Sequence, residues 1–297
     1  MKPLIFGFKG KSLSDEERSF FLEHQPAGFI IFKRNIESKE QLMVLCTDLT
    51  GLFGGREVMI LIDQEGGRVQ RLTEPLTKKY PAPSYFSSLI DSEGMEAALK
   101  ACYDSNLEMA LELKEIGINI NCAPVADLTF EGASNVIGDR SFGSSIDIVV
   151  QFCSQAIKAH LDAGIKPIIK HMPGHGRAKS DSHFELPFVD ALLPELESTD
   201  FAVFQELAKY SSLAMTAHIV YRALDTELPA TTSKTVINYI KDAIGFKGQI
   251  ITDCITMKAL SGSFAERTTA SLEAGCDYVL HCNGEIGEMQ EIADCLS

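Results

Sequence analysis

Three short stretches of the chain concentrate side chains able to do chemistry. The first, Asp63-Gln-Glu-Gly-Gly-Arg68-Val-Gln-Arg71, sets two carboxylates and two guanidiniums around a Gly-Gly pair. The second runs Lys170-His171-Met-Pro-Gly-His175-Gly-Arg-Ala-Lys-Ser-Asp181-Ser-His183. The third is Ile251-Thr252-Asp253, whose carboxylate follows an apolar run and precedes Cys254-Ile255. A carboxylate placed there is poorly solvated, and an unpaired buried charge costs several kcal/mol or shifts its pKa. Asp253 is therefore a candidate nucleophile, the alternative being an N-cap for a helix starting near Thr256. Asp181 and His183 stand two residues apart, close enough for the carboxylate to orient the imidazole and stabilise its charged form. That pairing suits general acid/base work, although His183 could also be an ordinary exposed loop residue. Arg68, Arg71 and Arg140 offer forked donors for hydroxyls or carboxylates, with a structural pairing to Asp63 or Glu65 as the alternative for Arg68 or Arg71. Gly66-Gly67 points to a tight turn or to backbone lying against a ligand. His171, His175, His183 and His218 with Asp63 or Asp253 could also ligate zinc. Their spacing is unlike a zinc signature, however, and Lys170 brings positive charge to the same place.

These residues need elements to hold them, and the chain supplies a regular series. Apolar runs at 4–8, 28–32, 58–62, 118–122, 166–170, 213–217, 249–252 and 277–281 read as strands buried on both faces. Helical patterns follow each in turn, at 15–24, 38–52, 94–116, 146–163, 194–210, 233–243, 256–274 and 285–296. Strand–helix alternation implies a parallel sheet with right-handed crossovers, and eight units in 297 residues favour a closed (β/α)8 barrel. In that fold the site lies at the C-terminal strand ends. Strands three to seven each run into polar groups there: Asp63, Asp127, Lys170-His171, His218 and Asp253. No G-x-G-x-x-G or Walker loop follows an early strand. No linker or repeat divides the chain, so residues 1–297 are expected to form a single domain. Two long loops, 71–92 and 173–193, are candidates for function.

Composition narrows the partners. Lys and Arg number 27 against 41 Asp and Glu, a net charge of −14, which argues against a nucleic-acid surface. No stretch approaches the ~20 apolar residues of a membrane span. The opening apolar run, broken at Lys9, is too short for a signal-peptide core. The 8 cysteines contain no C-x-x-C and sit among apolar residues, so reduced thiols and a cytoplasmic location are expected.

Ile62-Asp-Gln-Glu-Gly-Gly-Arg-Val-Gln-Arg-Leu72, Ile137-Gly-Asp-Arg-Ser-Phe142, Lys170-His-Met-Pro-Gly-His-Gly176 with Asp181-Ser-His183, and Ile251-Thr-Asp253 together resemble the family 3 glycoside hydrolases. The Lys-His-x-Pro-Gly-His-Gly segment with its following Asp-Ser-His resembles the hexosaminidase branch in particular. The resemblance implies a (β/α)8 barrel that removes terminal β-linked N-acetylglucosamine with retained configuration, from peptidoglycan-derived fragments. It implies Asp253 as nucleophile and His183, held by Asp181, as acid/base. Asp63, Arg71, Arg140, Lys170 and His171 would hold the sugar ring. It implies no metal and no cofactor, a carbohydrate as partner rather than nucleic acid or membrane, and a monomer. With no tryptophan in the chain, sugar stacking falls to phenylalanine, tyrosine or apolar side chains. Three other readings share these residues: a phosphorylase using phosphate as acceptor, a metal-dependent barrel hydrolase, and a non-catalytic sugar-binding barrel. Two departures from the family pattern stand out. The second domain of the β-glucosidases is expected to be absent, as in the hexosaminidase branch, with few residues given past the eighth strand, and Cys254 follows the nucleophile position where relatives often carry another small or acidic residue.

Overall fold

A computed structural model describes residues 1–296. Eight strands form the frame: β1 Lys2–Phe6, β2 Pro26–Ile31, β3 Met59–Ile62, β4 Ile120–Asn121, β5 Lys166–Met172, β6 Leu213–Thr216, β7 Gln249–Ile251 and β8 Val279–His281. They pair in parallel in the order β7-β6-β5-β4-β3-β2-β1-β8. A bridge between Ile251 and Tyr278 joins the two ends, and Thr252 N–H donating to Tyr278 O at 3.0 Å continues it. The sheet thus closes into the expected barrel, with no edge strand exposed. Inside it, Ile5, Ile30, Leu61, Ile120, Ile168, Leu213, Met215, Ile251 and Leu280 pack as one core. Their apolar side chains, most of them branched, fill the lumen in the manner of α/β barrels.

The outer helices are α1 Asp15–His24, α2 Lys39–Gly51, α3 Met95–Ile116, α4 Ile146–Ala163, α5 Asp200–Leu207, α6 Lys234–Asp242, α7 Phe264–Ala274 and α8 Ile286–Asp294. In α3 the buried positions Ala98, Cys102, Met109, Leu113 and Ile116 fall on one stripe, the spacing a helix needs to cover a sheet. Two expected helices differ from the sequence reading. The one expected at 256–274 starts at Phe264, where Ser263 and Glu266 form a reciprocal capping box. The one expected at 194–210 divides into Leu193–Glu197 and α5. β4 is also shorter than its apolar run. Cys122 N–H still reaches Ile62 O at 2.8 Å, but Asn119 and Asn121 spend their side chains on the backbone of the β3 segment.

Among the described residues, no helix is long and apolar enough to cross a membrane. All eight cysteines are unpaired thiols, six of them buried.

Candidate active site

β3 ends at Ile62, and the chain turns at once into a hairpin of Gln64–Gly66 against Val69–Gln70. Gly66 and Gly67, with φ of 91° and 58°, make this turn. A Cβ on Gly66 would lie 2.2 Å from Pro81 O, and one on Gly67 would lie 2.6 Å from the Ala82 Cβ. The Gly-Gly pair is thus a tight turn packed under the 80–82 segment. Gln64 completes the hairpin by accepting from Arg71 N and Leu72 N through Oε1. Asp63 and Arg71 are thereby fixed at the mouth of the barrel. Arg71 donates to Asp63 Oδ2 at 3.0 Å, and Lys170 from β5 donates to Asp63 Oδ1 at 2.9 Å.

Lys170 also reaches Glu65 Oε1 at 2.6 Å, with 2% of its side chain and 1% of that of Glu65 exposed. Glu65 in turn receives two parallel hydrogen bonds from Arg140, at 2.8 and 2.9 Å. Burial pushes the Glu65 carboxyl up, but Arg140 and Lys170 overcome it and bring it down to about 2. Asp63 is likewise pushed up by burial yet held well below the carboxylate range by Lys170 and Arg71. The same partners raise Lys170 and Arg140 against their own desolvation. All four groups are therefore charged at neutral pH. Such buried pairs survive only when nearly every lone pair and proton is engaged. Arg68 departs from the pairing considered for it. It braces the neighbouring loop instead, donating to Asp139 at 2.7 Å and to the carbonyls of Asn135, Val136 and Ile137.

His171 follows Lys170 on β5. Its Nδ1 lies 2.8 Å from Asp127 Oδ2, and a carboxylate can only accept, so Nδ1 carries the proton. Asp127 also takes the backbone N–H groups of His171 and His175. Burial pushes Asp127 up, but His171 and His175 bring it below its ordinary value. Asp127 is thus the hub that fixes the start of the 173–193 loop. The sequence showed it only as one more polar strand end.

Asp253 follows β7 and is half-buried. It does not cap a helix, because α7 begins only at Phe264 and is capped by Ser263. Asp253 Oδ1 accepts from Cys254 N at 2.7 Å, and Asp253 N donates to Thr216 Oγ1 at 3.3 Å. Beneath it, His218 lies 2.6 Å from Thr231 Oγ1 and 3.1 Å from Cys254 O. Since a carbonyl only accepts, His218 Nε2 donates to Cys254 O. Desolvation lowers the His218 pKa. Desolvation pushes the Asp253 carboxyl up, but His218, His171, the Cys254 N–H and Lys170 hold it below its ordinary value. The result is an ionised carboxylate in a confined place, with one oxygen not engaged by Cys254.

Asp181 and His183 sit on the loop after β5. Asp181 Oδ1 accepts from His183 Nδ1 at 2.7 Å and from His183 N at 2.9 Å. The imidazole is 59% exposed. Its Nε2 is the nitrogen left to move a proton. Burial pushes Asp181 up, yet the backbone N–H and imidazole of His183 bring it below its ordinary value, so it stays anionic. The loop is tied to the segment after β7 by Ala259 N donating to Ser182 O at 3.2 Å. His175 Nε2 to Ser182 Oγ at 3.1 Å ties it inward.

One cavity of about 560 Å³ brings these groups together: Asp63, Arg71, Arg140, Lys170, His171, Asp181, His183 and Asp253 all line it, with Glu65 and His175. All eight site residues read from the sequence thus meet in one place. The sequence reading missed Glu65 as a site member and Asp127 and the His218–Thr231 pair as supports. The histidines of the zinc alternative are turned to different partners. Among the described residues, no group of three or more His, Cys, Asp or Glu is arranged to hold a metal ion.

Residues 6–297 match the family described as the glycosyl hydrolase family 3 N terminal domain. A beta-hexosaminidase of Alkalilimnicola ehrlichii is 39% identical over 285 residues, covering 95% of this chain and 80% of that protein. Among solved structures, NagZ from Neisseria gonorrhoeae in complex with N-trifluoroacetyl-D-glucosamine superposes with a TM-score of 0.91 at 36% identity, covering 98% of this chain and 84% of that one. A family 3 β-N-acetylglucosaminidase from a Paenibacillus strain gives a TM-score of 0.92 at 31% identity, over 99% of this chain and 56% of that one. Sequence, fold and site agree: the chain belongs to glycosyl hydrolase family 3, through that family's N-terminal barrel domain, and is a glycoside hydrolase.

Proposed function

We propose that this glycoside hydrolase, similar to beta-hexosaminidases, removes terminal β-linked N-acetylglucosamine with retained configuration through a glycosyl–aspartate intermediate on Asp253. The observation that carries the reading is an ionised Asp253 and an Asp181-held His183 facing one cavity, beside a fixed array of charged groups. Asp63, Arg71, Arg140, Lys170 and His171 bind the sugar in this reading. Asp63 and Lys170 meet hydroxyls, and His171 lines the same cavity. Arg140 acts chiefly by holding Glu65, because its guanidinium is already engaged by that carboxylate and by Val136 O.

In the first step an oxygen of Asp253 attacks the anomeric carbon. His183, protonated on Nε2, gives its proton to the departing glycosidic oxygen while Asp181 stabilises the imidazolium. In the second step neutral His183 takes a proton from water, which attacks the same carbon and releases Asp253. Retaining glycosidases usually set two carboxyl groups about 5–5.5 Å apart for these roles. Here an imidazole replaces one of them. Action as a monomer belongs to this reading. Eight unpaired thiols support a reducing, cytoplasmic setting, where cell-wall fragments are the proposed source of the sugar.

Hydrolysis of an aryl β-N-acetylglucosaminide beside the aryl β-glucoside tests the reading, with wild type and Asp253→Ala. Wild type is expected to release N-acetylglucosamine and to prefer it over glucose. The variant should lose about 10⁴-fold in kcat. Near-normal turnover by Asp253→Ala would overturn the assignment, and sugar phosphate forming on addition of phosphate would replace hydrolysis by phosphorolysis.

A further inference from the structure

Cys254 and Cys282 occupy neighbouring strand ends on the wall of the same cavity. Ile255 N–H donates to Leu280 O at 2.9 Å and Leu280 N–H to Thr252 Oγ1 at 2.9 Å, so the chain just past β7 stays paired with β8. The two thiols lie near enough to shift one another's ionisation. Cys254 Sγ also lies 3.1 Å from Thr256 Oγ1. Cys282 is half-buried, whereas Cys46, Cys102, Cys122, Cys153 and Cys276 are sealed in the core. Neither thiol has a part in the proposed glycosyl transfer. Cys254 is nevertheless wired to Asp253, since its N–H donates to that carboxylate and its carbonyl accepts from His218.

We propose that Cys254 and Cys282 form a modification site for hydroperoxides, with Cys254 as the attacking sulfur and Cys282 as the resolving one. Burial pushes the Cys254 thiol up, but hydrogen bonds with Cys282 and Thr256 leave it below its ordinary value. Cys282 is pushed well above its own, first by that same hydrogen bond. Of the two, Cys254 is the more readily ionised sulfur. Burial pushes the five core thiols up instead, and such thiols are inert.

The Cys254 thiolate attacks one peroxide oxygen and the O–O bond breaks. That oxygen stays on sulfur as a sulfenic acid, and the other leaves as water or an alcohol after taking a proton. Cys282 sulfur then attacks Cys254 sulfur, the S–O bond breaks, and the hydroxyl leaves as water with the Cys282 proton. Two thiols supply the two electrons that reduce one hydroperoxide. A disulfide accepts Cα spacings of about 4.4–6.8 Å, and the pairing of Ile255 N–H with Leu280 O keeps the two cysteines on directly neighbouring segments. Closing it draws Cys254 toward β8 and with it the N–H that holds Asp253, so activity should fall.

The test treats the full chain with hydrogen peroxide and maps its peptides without reduction. Wild type should yield a Cys254–Cys282 linked peptide and lose tenfold or more of its aryl β-N-acetylglucosaminide hydrolysis, restored by dithiothreitol. Cys282→Ser, compared with its own untreated rate, should give no linked peptide and should trap dimedone on Cys254. Recovery of both thiols unmodified, or first modification at Cys295, would overturn the inference. The activity arm rests on the glycosidase reading but the peptide arm does not. A linked peptide in an enzyme without glycosidase turnover would uphold the thiol site and sink that reading alone.

Discussion

Around Glu65, five charged side chains from three segments lock one another below the surface. Around His183, a single carboxylate two residues away holds one imidazole in the open. The two regions line the same cavity, yet their stability comes from different sources. Asp63, Glu65, Lys170 and Arg140 stand at strand ends or on the loop braced by Arg68, and each is held by partners distant in sequence. Removing one leaves a buried charge unpaired, a cost of about 3–5 kcal/mol. The Asp181–His183 pair is solvent-screened and worth about 1 kcal/mol or less to folding. A fixed receptor beside a weakly held proton carrier fits a reaction in which the same imidazole first gives and then takes a proton.

The contrast can be broken most strongly at His183. His183→Ala should slow hydrolysis of substrates with poor leaving groups by about 10²–10⁴-fold, and far less for activated aryl leaving groups that need little protonation. Measuring kcat/KM across an aryl series checks this, and equal losses throughout would remove His183 as the acid. Glu65→Gln strikes the other region, leaving Arg140 and Lys170 short of a counter-charge, and should cost about 3–5 kcal/mol in urea unfolding. Asp181→Asn should slow turnover by about 10–100-fold while shifting stability by less than about 1 kcal/mol. A large loss of stability in this variant would erase the distinction drawn here.

Acid probes the Glu65 region in a second way. The Glu65 pKa falls to about 2 in the folded chain, against an ordinary value of 4.5. A depressed carboxylate contributes stability that is complete above its unfolded pKa and disappears as pH falls through the folded one. The Glu65 contribution should therefore be full above about pH 4.5 and lost progressively towards pH 2. Unfolding of wild type and Glu65→Gln across that window checks it, and the gap between them should close as the pH falls.

Much of this was legible in the sequence because the barrel repeats one signal eight times. Apolar runs gave the strands, and polar residues at the ends of strands three to seven gave the face. The start of α7 was also written in the chain, as Ser263-Phe-Ala-Glu266, but the apolar stretch before it masked that cap. Glu65 and Asp127 escaped for a different reason. Their importance lies in partners 75 and 44 residues away in the chain, contacts that no local pattern encodes. The Asp181–His183 pair was readable because its geometry needs only two residues.

The central claim is covalent chemistry at Asp253. A fluorinated N-acetylglucosaminyl fluoride, which slows breakdown of the intermediate more than its formation, should leave one sugar on the protein. Peptide mapping should then place that sugar on the Asp253 carboxylate. Turnover of this reagent with no adduct, or a sugar recovered on Asp63 or Glu65 instead, would contradict the account.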